Sequence, residues 1–166
     1  VEPKNVLPVN GSDEILYFAF LAFGDEQNPF AFADISYGFY PVFAQLHGIH
    51  YTELPLRPDF TVSWQAYYGR DGMVVLANPN APTGLSLSVG AIEEILRSNP
   101  DHVVLIDEAY VDFGGESCAK LVEQYDNLLV VMTYSKSRSM AGARLGFALG
   151  SAALIADLEK LKYSTN

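Results

Sequence analysis

Cysteine is almost missing from this chain: Cys118 is the only one in 166 residues. No disulfide can close within it, and a reducing, cytoplasmic setting is the default expectation. Positive charge is also scarce, with 10 Lys and Arg against 20 Asp and Glu, for a formal net charge of −10. Nucleic acid and anionic membrane surfaces need an extended basic face, so neither is expected as a partner. The longest apolar run, "ILYFAFLAF" at 15–23, falls far short of the roughly 20 residues that span a bilayer. No secretory signal opens the chain, and no repeat or low-complexity segment interrupts it. The segment "NGSDE" carries neither the Gly-x-Gly-x-x-Gly nor the Walker pattern, which argues against a generic nucleotide-binding domain. His47 and His50 straddle an expected helix end without acidic or cysteine company, so no metal site is expected.

What is present reads as one globular domain, 49% apolar and 13% aromatic, long enough to bury a substantial core. Apolar runs bounded by turn residues occur at 30–35, 73–78, 102–107, 128–133 and 145–150, and each predicts a buried strand. Helical patterns lie between them at 12–23, 37–47, 88–98, 117–125 and 151–162, with Ser12 and Ser88 placed as N-caps. The segment 55–72 reads as a surface excursion carrying a short helix. Such alternation predicts an α/β fold, a three-layer α/β/α sandwich around a mostly parallel central sheet. The chain opens on Val1 and closes on "KLKYSTN" just after a helical pattern, from which a longer parent protein is expected.

Against the acidic background, "TYSKSRSMAGARLGF" (133–147) gathers Lys136, Arg138 and Arg144, and no carboxylate occurs between Asp126 and Asp157. A local excess of cations in an acidic protein points to a pocket for a small anion. Ligands of open α/β sheets bind beyond the carboxyl ends of the strands, and here those ends carry Asn78 and Asn80, Asp107, and Ser135 with Lys136. Gly11, Ser12 and Asp13 follow a short extended stretch and open a helix, whose free N–H groups suit a phosphate. Lysine crowded by two arginines in an apolar protein is driven towards its neutral, nucleophilic form, and neutral lysine captures aldehydes. Ser135 and Arg144 add a hydroxyl and a forked guanidinium for an anion. The cofactor that joins an aldehyde to a phosphate is pyridoxal phosphate (PLP), which also needs an acid to keep its ring nitrogen protonated; Asp107 is the buried candidate.

The motifs "NPNAPTG" (78–84), "DEAYVDF" (107–113) and "SKSRSMAGARLGF" (135–147), with "NGSDEIL" (10–16) and "ISYGFY" (35–40), resemble the fold-type I PLP-dependent aminotransferases, most closely the histidinol-phosphate aminotransferases. The resemblance runs through nearly the whole chain in the family's order. It implies that Lys136 bonds the cofactor aldehyde, Asp107 pairs with the pyridine nitrogen, Tyr110 hydrogen-bonds the ring 3′-oxygen, and Tyr37 stacks on the ring. Ser135, Arg144 and the backbone of Gly11, Ser12 and Asp13 would hold the phosphate. Ala81 stands where many relatives have Asn, so contact with the 3′-oxygen is expected to pass to Asn80, to Tyr110 alone or to water. Glu108 and Tyr40 are expected to be structural, Arg138 a rim charge, and Cys118 inert.

The resemblance further implies a transaminase that moves nitrogen from a small-molecule amino donor to a 2-oxo acid, as a homodimer. Histidinol phosphate is the expected donor, with aromatic amino acids or aspartate next. Threonine-phosphate decarboxylation, on the same scaffold, and an inactive cofactor-binding fragment are the alternatives. Relatives are about twice this length, so residues 1–166 are expected to be the PLP-binding large domain, without the N-terminal arm and C-terminal small domain.

Overall fold

The computed structural model describes residues 1–162. Seven strands form one sheet: β1 (Val6–Val9), β2 (Phe30–Ala33), β3 (Tyr51–Leu54), β4 (Val74–Ala77), β5 (Val104–Asp107), β6 (Leu128–Thr133) and β7 (Gly146–Gly150). Their order across the sheet is β1-β7-β6-β5-β4-β2-β3. All neighbours are parallel except at β7, which runs antiparallel to both β6 and β1. Helices α1 (Ser12–Phe23), α2 (Tyr40–Leu46), α3 (Val89–Ser98) and α4 (Ala152–Glu159) cover the two faces.

Strand alternation divides the interior into two cores. Val75, Ala77, Leu105, Leu129 and Val131 face α1, α2 and α4. Val74, Leu76, Val104, Ile106, Leu128 and Val130 face α3 and the short turns at Trp64–Tyr67 and Cys118–Leu121. Strands buried on both sides are apolar throughout, which is why the five apolar runs of the sequence all become strands. The three layers follow directly.

The departures from expectation are local. Strand β3 was not anticipated, because an edge strand exposes Thr52 and Glu53 and lacks a continuous apolar run. Helix α2 starts three residues later than the pattern, at Tyr40, with Pro41 in its first turn, where a missing N–H costs nothing. The segment 117–125 forms only a 3-10 turn at Cys118–Leu121, since the chain must reach Leu128 to enter β6. Helix α4 ends at Glu159, and the part of the expected helix before it is present. Ser88 caps α3, accepting from the N–H of Ala91 at 3.2 Å. Ser12, by contrast, is the first helical residue and Gly11 is the cap.

Candidate active site

Three central parallel strands end side by side: Ala77 of β4 pairs with Asp107 of β5, which pairs with Val131 of β6. Just beyond them lies a cleft lined by Ser12, Asp13, Tyr37, Asp107, Tyr110 and Lys136, together with Ala81, Thr133, Ser135 and Arg144. Cations and carboxylates that are far apart in sequence thus share one edge of the sheet, where α/β folds bind ligands.

One end of the cleft is the start of α1. Gly11 has φ 89°, and a Cβ there would lie 2.6 Å from the Arg144 guanidinium. Across from it, a Cβ on Gly146 would lie 2.5 Å from the Gly11 carbonyl carbon and 2.7 Å from the Ser12 nitrogen. Two glycines therefore let β7 press against the helix start. No side chain caps α1, so its first N–H groups and positive dipole end remain available to an anion. Arg144 is itself in the left-handed region, at φ 50° and ψ 43°, uncommon for a residue with a Cβ. Its guanidinium donates to the carbonyls of Ala141 (3.2 Å) and Asn10 (3.4 Å) and reaches Ser135 Oγ at 3.5 Å. Thr133 completes this end: its hydroxyl donates to Ser135 Oγ (3.0 Å) and accepts from the Ser135 N–H (3.1 Å).

At the other end Asp107 is 5% exposed. Its Oδ2 accepts from Tyr40 Oη at 2.9 Å and its Oδ1 from the Ala109 N–H at 3.1 Å. Burial pushes this carboxyl up to about 6, although the hydrogen bonds from Tyr40 and Ala109 and the charge of Lys136 oppose the shift. Lys136 Nζ lies 5.4 Å from the centre of the Tyr110 ring. Tyr37 Oη donates to Asp13 Oδ1 at 2.9 Å, and burial with that carboxylate raises the phenol far above its ordinary value.

Most residues singled out in the sequence meet here, with instructive exceptions. Gly11 shapes the entry to α1 but does not line the cleft. Asn80 is a correction: its amide donates to the Ile35 carbonyl (2.9 Å) and Thr83 Oγ1 (3.1 Å) and accepts from Ser36 Oγ (2.8 Å). Its amide ties this loop to the one that follows β2, and Ala81 and Pro79 form the wall instead. Asn78 is likewise held by both backbone groups of Leu87. Arg138 turns away to pair with Asp112, its Nε 3.0 Å from Oδ2; among the described residues Lys136 and Arg144 have no such carboxylate. Two residues beside the cleft were not singled out for it in the sequence: Thr133, which lines it, and Tyr40, which bonds Asp107 from the core. The only signal for Tyr40 was its place three residues after Tyr37, on a helix start whose tyrosine must bury a hydroxyl.

The whole chain, residues 1–166, matches the family model for aminotransferase class I and II. It is 55% identical over 157 residues to a histidinol-phosphate aminotransferase of Lactococcus lactis subsp. cremoris, covering 95% of this chain and 44% of that protein. It is 53% identical over 167 residues to histidinol-phosphate aminotransferase 2 of Dechloromonas aromatica, covering 100% of this chain and 47% of that one. Among solved structures it resembles a putative histidinol-phosphate aminotransferase from Erwinia carotovora atroseptica, with a TM-score of 0.90 and 27% identity over 98% of this chain and 50% of that one. The Sinorhizobium meliloti histidinol-phosphate aminotransferase, solved in complex with pyridoxal-5′-phosphate, shares the fold at TM-score 0.89 and 21% identity, over 98% of this chain and 46% of that one. The chain spans about half the length of the curated relatives it matches. Sequence and fold agree that this chain belongs to the class I and II aminotransferase family.

Proposed function

We propose that this chain is the PLP-binding large domain of a histidinol-phosphate aminotransferase, which passes the amino group of histidinol phosphate to 2-oxoglutarate. The observation that carries the reading is a single cleft that brings together a lysine, a buried acid and a helix N-terminus without a side-chain cap. The residues fit PLP end to end. Asp107, with no cation bonded to it among the described residues, suits a protonated ring nitrogen; the α1 start with Ser135 and Arg144 suits a dianionic phosphate; Lys136 lines the same cleft. Bound there, PLP supplies an aldehyde that captures amines and a ring that accepts the electron pair left when a neighbouring carbon loses its proton.

The protein's part is to bind, orient and move protons. Arg144 and Ser135 would anchor the phosphate, Tyr37 would stack on the ring, and Tyr110 would hydrogen-bond the 3′-oxygen. Lys136 Nζ would hold the aldehyde carbon and, when free, would serve as the acid and base that moves a proton between the substrate Cα and that former aldehyde carbon, on the far side of the substrate nitrogen. The histidinol-phosphate specificity is supported by identities above 50% to relatives of that name. We place the substrate-carboxylate and substrate-phosphate contacts on an arm and small domain outside these 166 residues. We further propose a cytoplasmic homodimer. The homodimer is supported by the exposed apolar side chains of α2 and the loop before it, Ile35, Phe39, Val42 and Leu46, of the kind that partners cover.

Addition of PLP to the chain should give a visible absorption band, and borohydride reduction followed by peptide mapping should place the label on Lys136. Lys136→Ala should lose both. Label scattered over other lysines in the wild type would sink the assignment. With the remainder of the protein present, glutamate and imidazole-acetol phosphate should exchange nitrogen; release of carbon dioxide without amino transfer would move the reaction class.

A further inference from the structure

Tyr40 opens α2 and is wholly buried. A hydroxyl taken out of water needs a partner, and this one donates its hydrogen to Asp107 Oδ2, 67 residues away in sequence. The ring cannot easily turn, because it packs against Phe32 (5.8 Å between centres), Phe20 (6.4 Å) and, edge-on, Tyr37 (5.6 Å). Pro41, next in the chain, stiffens the first turn of the helix. Phenylalanine would fill the same space, so packing alone does not call for the hydroxyl. Nor does the fold oblige every buried phenol to find an acid: Tyr67 Oη has no partner among the described residues.

The bond fixes one oxygen of Asp107 while the Ala109 N–H fixes the other. The plane of the carboxylate is thereby set where it meets the cleft. The bond also offsets part of the desolvation that would make the acid neutral, and a neutral acid cannot pair with a ring cation. The other charged or titratable groups around Asp107 are Asp13 from α1, Tyr37 from the loop before α2, Lys136 after β6, and Glu108 and Tyr110 after β5.

We propose that Tyr40 is a positioning residue of the reaction, acting solely through Asp107, whose orientation and negative charge it maintains for the cofactor's ring nitrogen. The inference rests on the PLP reading above. It concerns a residue that never touches the cofactor.

The test compares wild type, Tyr40→Phe, Asp107→Asn and the double variant in two ways. In the cofactor-free chain, carbon-13 NMR of the Asp107 carboxyl follows its titration. In a second experiment, equilibrium dialysis gives the affinity for PLP. Tyr40→Phe should move the Asp107 midpoint upwards and weaken PLP binding by about tenfold, a typical loss for one hydrogen bond to a charged group. In the Asp107→Asn background the same change should alter affinity by less than about twofold, the signature of two residues acting as one unit. Equal weakening in both backgrounds, or an unmoved midpoint, would overturn the proposal and leave Tyr40 as packing. Should even the wild type fail to bind PLP, the cofactor reading falls, while the titration still decides whether Tyr40 sets Asp107.

Discussion

Asp107 and Glu108 follow one another in the chain and are both nearly inaccessible, 5% and 2% exposed, yet strand alternation turns them to opposite faces of the sheet. Glu108 faces the α3 side, where Oε2 accepts from Ser117 Oγ and Oε1 from the Cys118 N–H, both at 2.6 Å. Its charge is used to tie down the turn at Cys118–Leu121. Asp107 faces the α2 side and keeps an opening to the cleft. Burial raises both carboxyls. What separates them is whether a partner from outside still has room to join, so the structural acid is closed and the functional one is left unfinished.

That contrast is sharpest in cofactor binding. Asp107→Asn should weaken PLP by about 100-fold, removing a buried charge-assisted contact, whereas Glu108→Gln should change affinity by less than about threefold; dialysis of both variants tests this. A large loss in Glu108→Gln would erase the distinction. Stability should respond in the opposite sense. Glu108→Ala leaves the buried Cys118 N–H and the half-buried Ser117 hydroxyl without their acceptor, and should cost about 2 kcal/mol in urea unfolding.

Asp107→Asn should instead stabilise the cofactor-free chain at pH 7.5, by about 1–2 kcal/mol. The native carboxyl titrates at about 6 against an ordinary 3.8, so the folded state holds its proton longer than the unfolded one. Wild-type stability from this group therefore falls as pH rises from about 4 to about 6 and stays low above, and the gain should vanish below about pH 4. A thermal-melt series across that window reads the effect. The smallest expected change comes from adding a donor to the unfinished side: Ala81→Asn should tighten PLP by about threefold through one new hydrogen bond at the cleft wall, seen in the same dialysis.

The layers, the parallel centre of the sheet and the gathering of Lys136, Asp107 and Arg144 were legible in the sequence, because apolar runs and strand-end polar residues are local patterns, whereas Tyr110 was implied only by the family resemblance. What escaped were relations between distant segments. Arg138 looked like part of the cationic cluster, but Asp112, 26 residues earlier, neutralises it. Asn80 looked like a ligand because its residue type and position allowed it, and only the loop's own geometry shows its amide already bonded. Tyr40 looked like core and is core, yet its one polar atom reaches an acid that no spacing rule connects to it.

The seat of β7 between β6 and β1 also bears on the order in which the molecule is completed. Of the seven strands β1 is made before the other six, yet its one neighbour in the sheet is β7, some 140 residues later, which bridges it to the rest. Gly146 then closes against Gly11 and Ser12. The wall that Gly146 gives to the α1 start is thus built by a segment some 135 residues further along the chain than Gly11 itself.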